Sequence, residues 1–457
     1  MTGDGGDDGD VRPTGPPPRR WPRHLHLRRF SLRRRSLEAE PVVDAASERL
    51  QEFLVLLGGA LLTVGTAATD IQHTLKRVAV ALGSPQTTLF VFPTLILIKM
   101  PGDTETRFDV AESAGGEVRF DRAAQVYAVV DDAVAGRIDA SEGVERLQQV
   151  RDAHPRFPRW VRTAGHGLAA AGLGLVLLGG NPVSLLYAFV LGVLVGAVKL
   201  TVRPGTYAAT LLPVVTAFVL ALLVFGLADT AVVSEPLQVL VPPLVTLLPG
   251  AALTTGVQEL AAGDMVAGSS RLVSGLAQLL FLAFGILAAL AITHVPSADA
   301  LASSPTTLGA FQPWVGVLLF SLGIFLYHCG PPRSLFFLTV VLLVAYGGQV
   351  VGATVTSGVY SGFLGAAALT LCAYLVQTVK GAPPAVVCFL PAFWLLVPGA
   401  TGLIGLTQTA SGDAVSSTSL PTIAGSIVAI ALGVLVGTAL YRQIYTMAPA
   451  RWGLRPT

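Results

Sequence analysis

The chain has 457 residues, 52% hydrophobic and only 13% charged, with a net charge of +2. Soluble globular domains carry about 25% charged residues, so this composition excludes an ordinary soluble protein and places the chain in the membrane class. No nucleic-acid partner is expected, and between Thr163 and Tyr441 the cations are Lys199, Arg203, Arg271, Arg333 and Lys380 alone.

Residues 1–42 open acidic and then turn Pro- and Arg-rich, as in RPTGPPPRRWPRHLHLRRFSLRRRSL. Such a segment buries too little apolar surface to fold and reads as a disordered cytoplasmic tail. Its arginines are separated from the first apolar run, Phe53–Val64, by Glu38, Glu40, Asp44 and Glu48, which argues against a signal peptide.

Residues 43–162 read as a small cytoplasmic α/β domain. Leu50, Phe53, Leu54, Leu57 and Leu61 share one helical face, and Ile71, Leu75, Val78 and Leu82 share another. TTLFVFPTLILIKM, a PGDT turn at 101–104 and TRFDVAES are strand-like, with Pro93 parting two short strands or lying at a sheet edge. Two amphipathic helices follow, one carrying Val126, Tyr127, Val130 and Val134, the other Val144, Leu147 and Val150.

From His166 onward, apolar runs follow one another at about 164–181, 183–201, 207–227, 237–260, 269–293, 309–328, 334–352, 358–378, 383–405 and 418–441. Runs of roughly 18–24 residues can cross about 30 Å of hydrocarbon. With the soluble domain inside, the inside loops hold all five cations, while the outside loops hold Asp229, Glu235, Asp299 and Asp413. That asymmetry predicts ten transmembrane helices in a lipid bilayer with both termini cytoplasmic and a short tail at 446–457. His328 and Lys199 read as interfacial, snorkelling or topological residues. Cys329, Cys372 and Cys388 read as small buried side chains rather than a disulfide framework.

One pattern is written twice. LLPGAALTTGVQELAAGD (247–264) and LVPGATGLIGLTQTASGD (396–413) match without a gap at Leu, Pro, Gly, Ala, Gly, Ala and a final Gly-Asp, displaced by 149 residues. The same shift lays helices one to five on helices six to ten, so the expected fold is a 5+5 repeat, 163–304 and 305–445. An odd number of helices per repeat inverts the second half in the membrane, as in secondary transporters. Pro and Gly in mid-span break a helix, and backbone left unpaired at bilayer depth survives only in protein or around a polar cavity. The breaks at Pro249, Gly250, Pro398 and Gly399 are therefore the predicted substrate site, with Thr254, Thr255, Gln258, Thr407 and Gln408 as contacts. Glu259, Asp264 and Asp413 are the candidates to carry a coupling proton; Asp264 and Asp413 serve equally well as helix caps or rim residues.

No Walker A motif and no H-E-x-x-H occurs, which argues against an ATP-driven pump built on this chain alone. No cofactor or metal is called for, and a homo-oligomer is left open.

The layout resembles the threonine/serine exporter family of bacteria. The carrying residues are GTAATDIQHTLKRVAVALG at 65–83, FPTLILIKM at 92–100, the acidic-amphipathic stretch at 126–150, HPRFPRW at 154–160 and the duplicated PGA segments. The resemblance spans about residues 45–445. It implies a non-enzymatic, proton-driven exporter of threonine and serine in the inner (cytoplasmic) membrane of a bacterium. Similar two-chain systems are implicated in dicarboxylate (succinate) export, which is the alternative; the scarcity of membrane cations favours a zwitterion. A second alternative, a membrane-anchored hydrolase, would draw on Asp70, His73 and Asp103, but no nucleophile-elbow motif accompanies them.

Overall fold

The computed structural model describes residues 45–101, 107–109, 118–177, 181–226, 236–293, 309, 311–355, 360–396, 403 and 420–447. The predicted apolar faces become the core of the N-terminal domain. Helix α1 (Ala45–Thr63) buries Leu50, Phe53, Leu54, Leu57 and Leu61, and α2 (Ala68–Ala81) buries Ile71, Leu75 and Val78 against them. Strands β1 (Thr88–Val91), β2 (Ile96–Lys99) and β3 (Arg107–Asp109) form an antiparallel sheet in sequential order. Pro93 lies in the connection between β1 and β2, where Thr88 pairs with Lys99 and Val91 with Ile96. Leu89, Val91, Ile96 and Ile98 turn to the helices, as the period of two requires. Helices α3 (Phe120–Val134) and α4 (Ala140–Asp152) close the domain. The Asp139 carboxylate caps α4 by accepting the Glu142 N–H at 2.8 Å.

Beyond this domain the chain is helical at each of the ten apolar runs. The first is α5 (Arg159–Leu177), the second α6 (Pro182–Thr201) and the third α7 (Tyr207–Gly226). The fourth is in three pieces: α8 (Pro236–Leu240), a 3₁₀ turn (Pro242–Leu247) and α9 (Gly250–Ala261). Then come α10 (Met265–Thr293), α11 (Gln312–Tyr327), α12 (Ser334–Val355), α13 (Ser361–Gln377), α14 (Ala385–Leu395) and α15 (Leu420–Met447). Five of them, α6, α7, α10, α12 and residues Ala424–Ile444 of α15, are long and apolar enough to cross a membrane. Helices α11, α13 and α14, at 16, 17 and 11 residues, are shorter than the runs predicted. The second PGA stretch, with Pro398, Gly399, Thr407, Gln408 and Asp413, lies outside the described residues except for its first residue, Leu396, and Leu403.

Glycine lets these helices touch backbone to backbone. On α5 and α11, Gly165 faces the Gly323 carbonyl and Gly172 faces the Gly316 carbonyl, so the two helices run antiparallel. Gly285 of α10 faces Val214 O, Ala217 Cβ and Phe218 N of α7. Gly433 of α15 faces Phe363 O, Ala366 Cβ and Ala367 N of α13, the same three atoms 149 positions on.

The N-terminal domain and the helical region belong to one compact unit that begins at Ala45. The carbonyl end of α11 accepts Arg162 Nε at Tyr327 O (2.9 Å), the Phe120 N–H at His328 O (2.8 Å) and Arg156 Nη1 at Gly330 O (3.2 Å). Donors and cations suit a helix C-terminus, where carbonyls are left over and the dipole is negative. His328 departs from the interfacial reading. It is 3% exposed, stacked between Phe120 (4.8 Å) and Trp394 (5.5 Å), and its Nδ1 meets Val118 O at 2.6 Å.

Candidate functional site

The break in the fourth apolar run has a local cause. Pro242, Pro243 and Pro249 each remove a backbone donor, so no continuous α-helix can run through VPPLVTLLPG. Leu248 is extended (φ −73°, ψ 132°) between the 3₁₀ turn and α9. The carbonyl freed at Leu247 is recovered by the side-chain amide of Gln278 on α10 at 2.5 Å, as a buried backbone acceptor requires.

Thr246, just before the break, is held by two side chains from α5 and α6. Lys199 Nζ donates to Thr246 Oγ1 at 2.7 Å and lies 3.4 Å from Thr246 O; His166 Nε2 lies 2.8 Å from the same hydroxyl. An ammonium only donates. Thr246 Oγ1 therefore accepts from Lys199, and the Gly192 carbonyl accepts from His166 Nδ1–H at 2.7 Å. His166 is fully buried in this chain of bonds. The Tyr327 ring packs edge-on against His166 (4.7 Å) and lies under the Lys199 ammonium (5.5 Å) and the Arg162 guanidinium (5.8 Å). Lys199, expected as an interfacial residue, is thus tied to the broken segment.

Beyond the break, Leu253, Gly256 and Leu260 turn to α10: a Cβ on Gly268 would lie 2.6 Å from Gly256 O, and Gly275 sits against Leu253. At about 100° per residue, Thr254 and Gln258 fall on the opposite face. Helices α14 and α15, from the C-terminal half, also pack on α9. Thr254 is fully buried, and neither its Oγ1 nor Gln258 Nε2 has a hydrogen-bond partner among the described residues. Thr255 is half-buried, and Pro249 and Gly250 form the amino end of α9.

The acids lie at the other end of α9. Glu259, 1% exposed, takes Arg271 Nε at 3.0 and 3.2 Å and the Ala68 N–H of α2 at 3.0 Å. Asp264 accepts the Thr69 hydroxyl one residue further along α2. The N-cap position of α2, Ala67, supplies no side-chain cap, so the Glu259 carboxylate takes an N–H at its amino end from outside the domain, with the Asp264 carboxylate beside it on the Thr69 hydroxyl. Of the predicted residues, the fold gathers Pro249 and Gly250 at the amino end of α9 and Thr254, Thr255 and Gln258 along it, and places Glu259 and Asp264 against α2.

Asp70 and His73 lie on the exposed side of α2. Asp70 keeps an open edge but is otherwise walled in. That loss of solvent raises its carboxyl above the usual range, against the opposing pull of His73 and Arg442. Burial likewise pushes Tyr127 up to about 12, with its hydroxyl 3.1 Å from Thr66 Oγ1. Asp103 lies outside the described residues.

A family model described as "Putative threonine/serine exporter" matches residues 52–293. An uncharacterized protein of Schizosaccharomyces pombe is 26% identical over 297 residues, 63% of this chain and 36% of that protein. A Mycobacterium tuberculosis protein named "Probable threonine/serine exporter" is 24% identical over 454 residues, 92% of this chain and 80% of the relative. The Zygosaccharomyces rouxii protein named "Pheromone-regulated membrane protein 10" is 27% identical over 199 residues, 41% of this chain and 20% of that protein. The chain thus spans about a third of the fission-yeast relative and a fifth of the Zygosaccharomyces one. No solved structure matches. The matched segment covers more than half of the sequence, from α1 to the end of α10, and on that ground the chain belongs to the threonine/serine exporter family.

Proposed function

We propose that this protein is a secondary transporter that carries threonine and serine out of the cytoplasm of a bacterium, driven by the proton-motive force. In this reading ten helices cross the membrane as a 5+5 inverted repeat with both termini inside. Residues 43–162 form its cytoplasmic domain. The carrying observation is the pair Thr254 and Gln258: buried polar atoms without a hydrogen-bond partner among the described residues, on the α9 face turned from α10. Leaving such groups unmade costs about 1–3 kcal/mol each, a cost a polar substrate repays on binding.

Other features support the same reading. The atoms that Gly285 and Gly433 face repeat with the 149-residue spacing of the PGA segments, although the glycines themselves are 148 apart, and α5 and α11 run antiparallel, as halves of opposite orientation require. The family match ends at Thr293, the last residue of α10, which is the fifth and last helix of the proposed first repeat. The amino end of α9 offers N–H groups to the substrate carboxylate, and Thr254 and Gln258 meet its hydroxyl and ammonium side. Glu259 and Asp264 are the coupling acids in the first half, and Asp413 is their proposed counterpart in the second.

Proteoliposomes loaded with labelled threonine test this. Efflux is expected to rise under an imposed proton gradient and to be inhibited by serine. Thr254→Val and Gln258→Leu should each slow efflux by about tenfold, since one substrate hydrogen bond is worth roughly 1–1.5 kcal/mol, while leaving the melting temperature equal to or above wild type. Unaltered efflux in both variants would remove them from the substrate path. Efflux of succinate in preference to threonine would replace the zwitterion by a dicarboxylate.

A further inference from the structure

Asp70 and Arg442 have no task in the transport reading above. Asp70 is exposed on α2, yet protein encloses it on nearly every side, so it lines a recess that solvent reaches. Groups from three other helices act on it there. Tyr127 of α3 and Tyr374 of α13 both feel the Asp70 charge, and Arg442 of α15 acts on Asp70 and on Tyr374. The two tyrosines also lie within reach of each other. Both are held in place: Tyr127 Oη is 3.1 Å from Thr66 Oγ1, and Tyr374 is hydrogen-bonded to Thr438 of α15 and stacked on the Tyr441 ring at 5.1 Å. The two residues before Asp70 fix where the recess opens. Ala68 N–H is on Glu259 and the Thr69 hydroxyl is on Asp264, so Asp70 lies beside the carboxyl end of α9, away from the helix break. Helix α15 packs on both α9 and α13 and closes the far wall.

We infer that this recess is a second, entry-side binding site for the transported zwitterion, with Asp70 taking its ammonium, Arg442 its carboxylate, and the Tyr127 and Tyr374 hydroxyls its side-chain hydroxyl. This assignment rests on the transport reading and deepens it. The class of ligand follows from the charges. Asp70 and Arg442 are opposite in sign and near enough to act on each other, yet neither forms an ion pair among the described residues. A carboxylate and a guanidinium held apart in one recess suit a ligand that carries both complementary charges. A dicarboxylate would meet Arg442 and repel Asp70. Loss of solvent raises the Asp70 carboxyl above its usual range, and a ligand ammonium would offset that cost. The tyrosine hydroxyls donate and accept without adding charge, as a hydroxyl side chain requires. The N-terminal domain thus supplies one charge and the helical region the other, and a bound amino acid bridges the two.

The test uses the full chain in proteoliposomes loaded with labelled threonine together with serine, serinol or glycerate. Serinol keeps the amine and lacks the carboxylate; glycerate keeps the carboxylate and lacks the amine. In wild type, serine is expected to inhibit threonine efflux about tenfold more strongly than either, the worth of one charge-assisted hydrogen bond. Asp70→Asn should raise KM by about tenfold and make glycerate as good an inhibitor as serine, while serinol stays weak. Arg442→Gln should show the reverse, with serinol equal to serine and glycerate weak. A merely structural role for either residue would not exchange the two preferences in this way. Asp70→Glu and Arg442→Lys keep the charges and should keep both preferences, which guards against a neutral variant that does not fold. Folded Asp70→Asn and Arg442→Gln variants that both retain the wild-type preferences would overturn this site alone. A wild type that moves no threonine would overturn the transport reading and this site with it.

Discussion

Arg271→Met is expected to be more damaging to the fold than any single change at Glu259. The Glu259 carboxylate is 1% exposed and Arg271 keeps about a fifth of its side-chain surface, so the two halves of the pair are not equally able to turn to water. Removing the arginine strands a buried carboxylate, for which roughly 3–5 kcal/mol is typical. Glu259→Gln leaves a neutral amide whose oxygen can still accept the Ala68 N–H, and a guanidinium that reaches solvent; its cost should be about 1–2 kcal/mol, in the range of one lost charge-assisted bond. The double variant Glu259→Gln with Arg271→Met should recover most of the loss of Arg271→Met. Melting curves of the purified protein would show this as a coupling between the two sites. Equal and additive losses would mean that the pair is exposed enough to be solvated on its own.

The same pair links the two parts of the transport proposal. Glu259 holds Arg271 within the helical region and the first N–H of α2 in the N-terminal domain. A proton on Glu259 weakens both bonds at once, so a coupling role for this acid would make docking of the N-terminal domain follow the transport cycle. Glu259→Gln, fixed in the neutral form, is then expected to give threonine movement that no longer responds to an imposed pH gradient while the fold persists.

Much of this was legible in the sequence because it rests on spacing. The α1 and α2 faces follow from a period of 3.6, and Pro249 with its neighbours breaks the fourth run wherever it sits. The polar chain at Thr246 was not legible. Its members, His166, Gly192, Lys199, Thr246 and Tyr327, come from four separate elements, and two of its acceptors are backbone carbonyls that no side chain announces. The available signal was modest: a lone histidine within the Ala- and Gly-rich TAGHGLAAAG. The partners of Glu259 and Asp264 were hidden for a related reason. The residues they meet, Ala68 by its N–H and Thr69 by its hydroxyl, stand in a helix whose own N-cap position is an alanine, and the missing cap was the hint that an anion comes from elsewhere. The tie of Lys199 to Thr246 was hidden because a lysine near the end of an apolar run is what snorkelling predicts; the proline-broken neighbour gives it a carbonyl and a hydroxyl to meet.

The crossing of α5 and α11 is expected to tolerate no side chain at its closest points. A Cβ on Gly172 would lie 2.4 Å from the Phe320 nitrogen, and one on Gly323 would lie 2.3 Å from the Ala169 nitrogen. In both cases the obstacle is backbone, which cannot rotate away as a side chain can. Ordinary overpacking costs about 1–3 kcal/mol; here the two helices must part along their whole contact, so Gly172→Leu and Gly323→Leu should leave little folded protein, and the alanine variants should melt well below wild type. Gly59 of α1 is the control, because nothing lies within 4 Å of its Cβ position; Gly59→Ala should be neutral or stabilising by up to about 1 kcal/mol. The second pair tests the repeat itself. Gly285→Ala and Gly433→Ala would press on matching carbonyls, Val214 O at 2.5 Å and Phe363 O at 2.3 Å. If the two halves are one design used twice, the two variants should lose similar stability and leave equal fractions of monodisperse protein on size exclusion. Loss confined to Gly285→Ala would mean that the C-terminal half packs by different rules, and the 149-residue spacing would then mark a shared sequence without a shared structure.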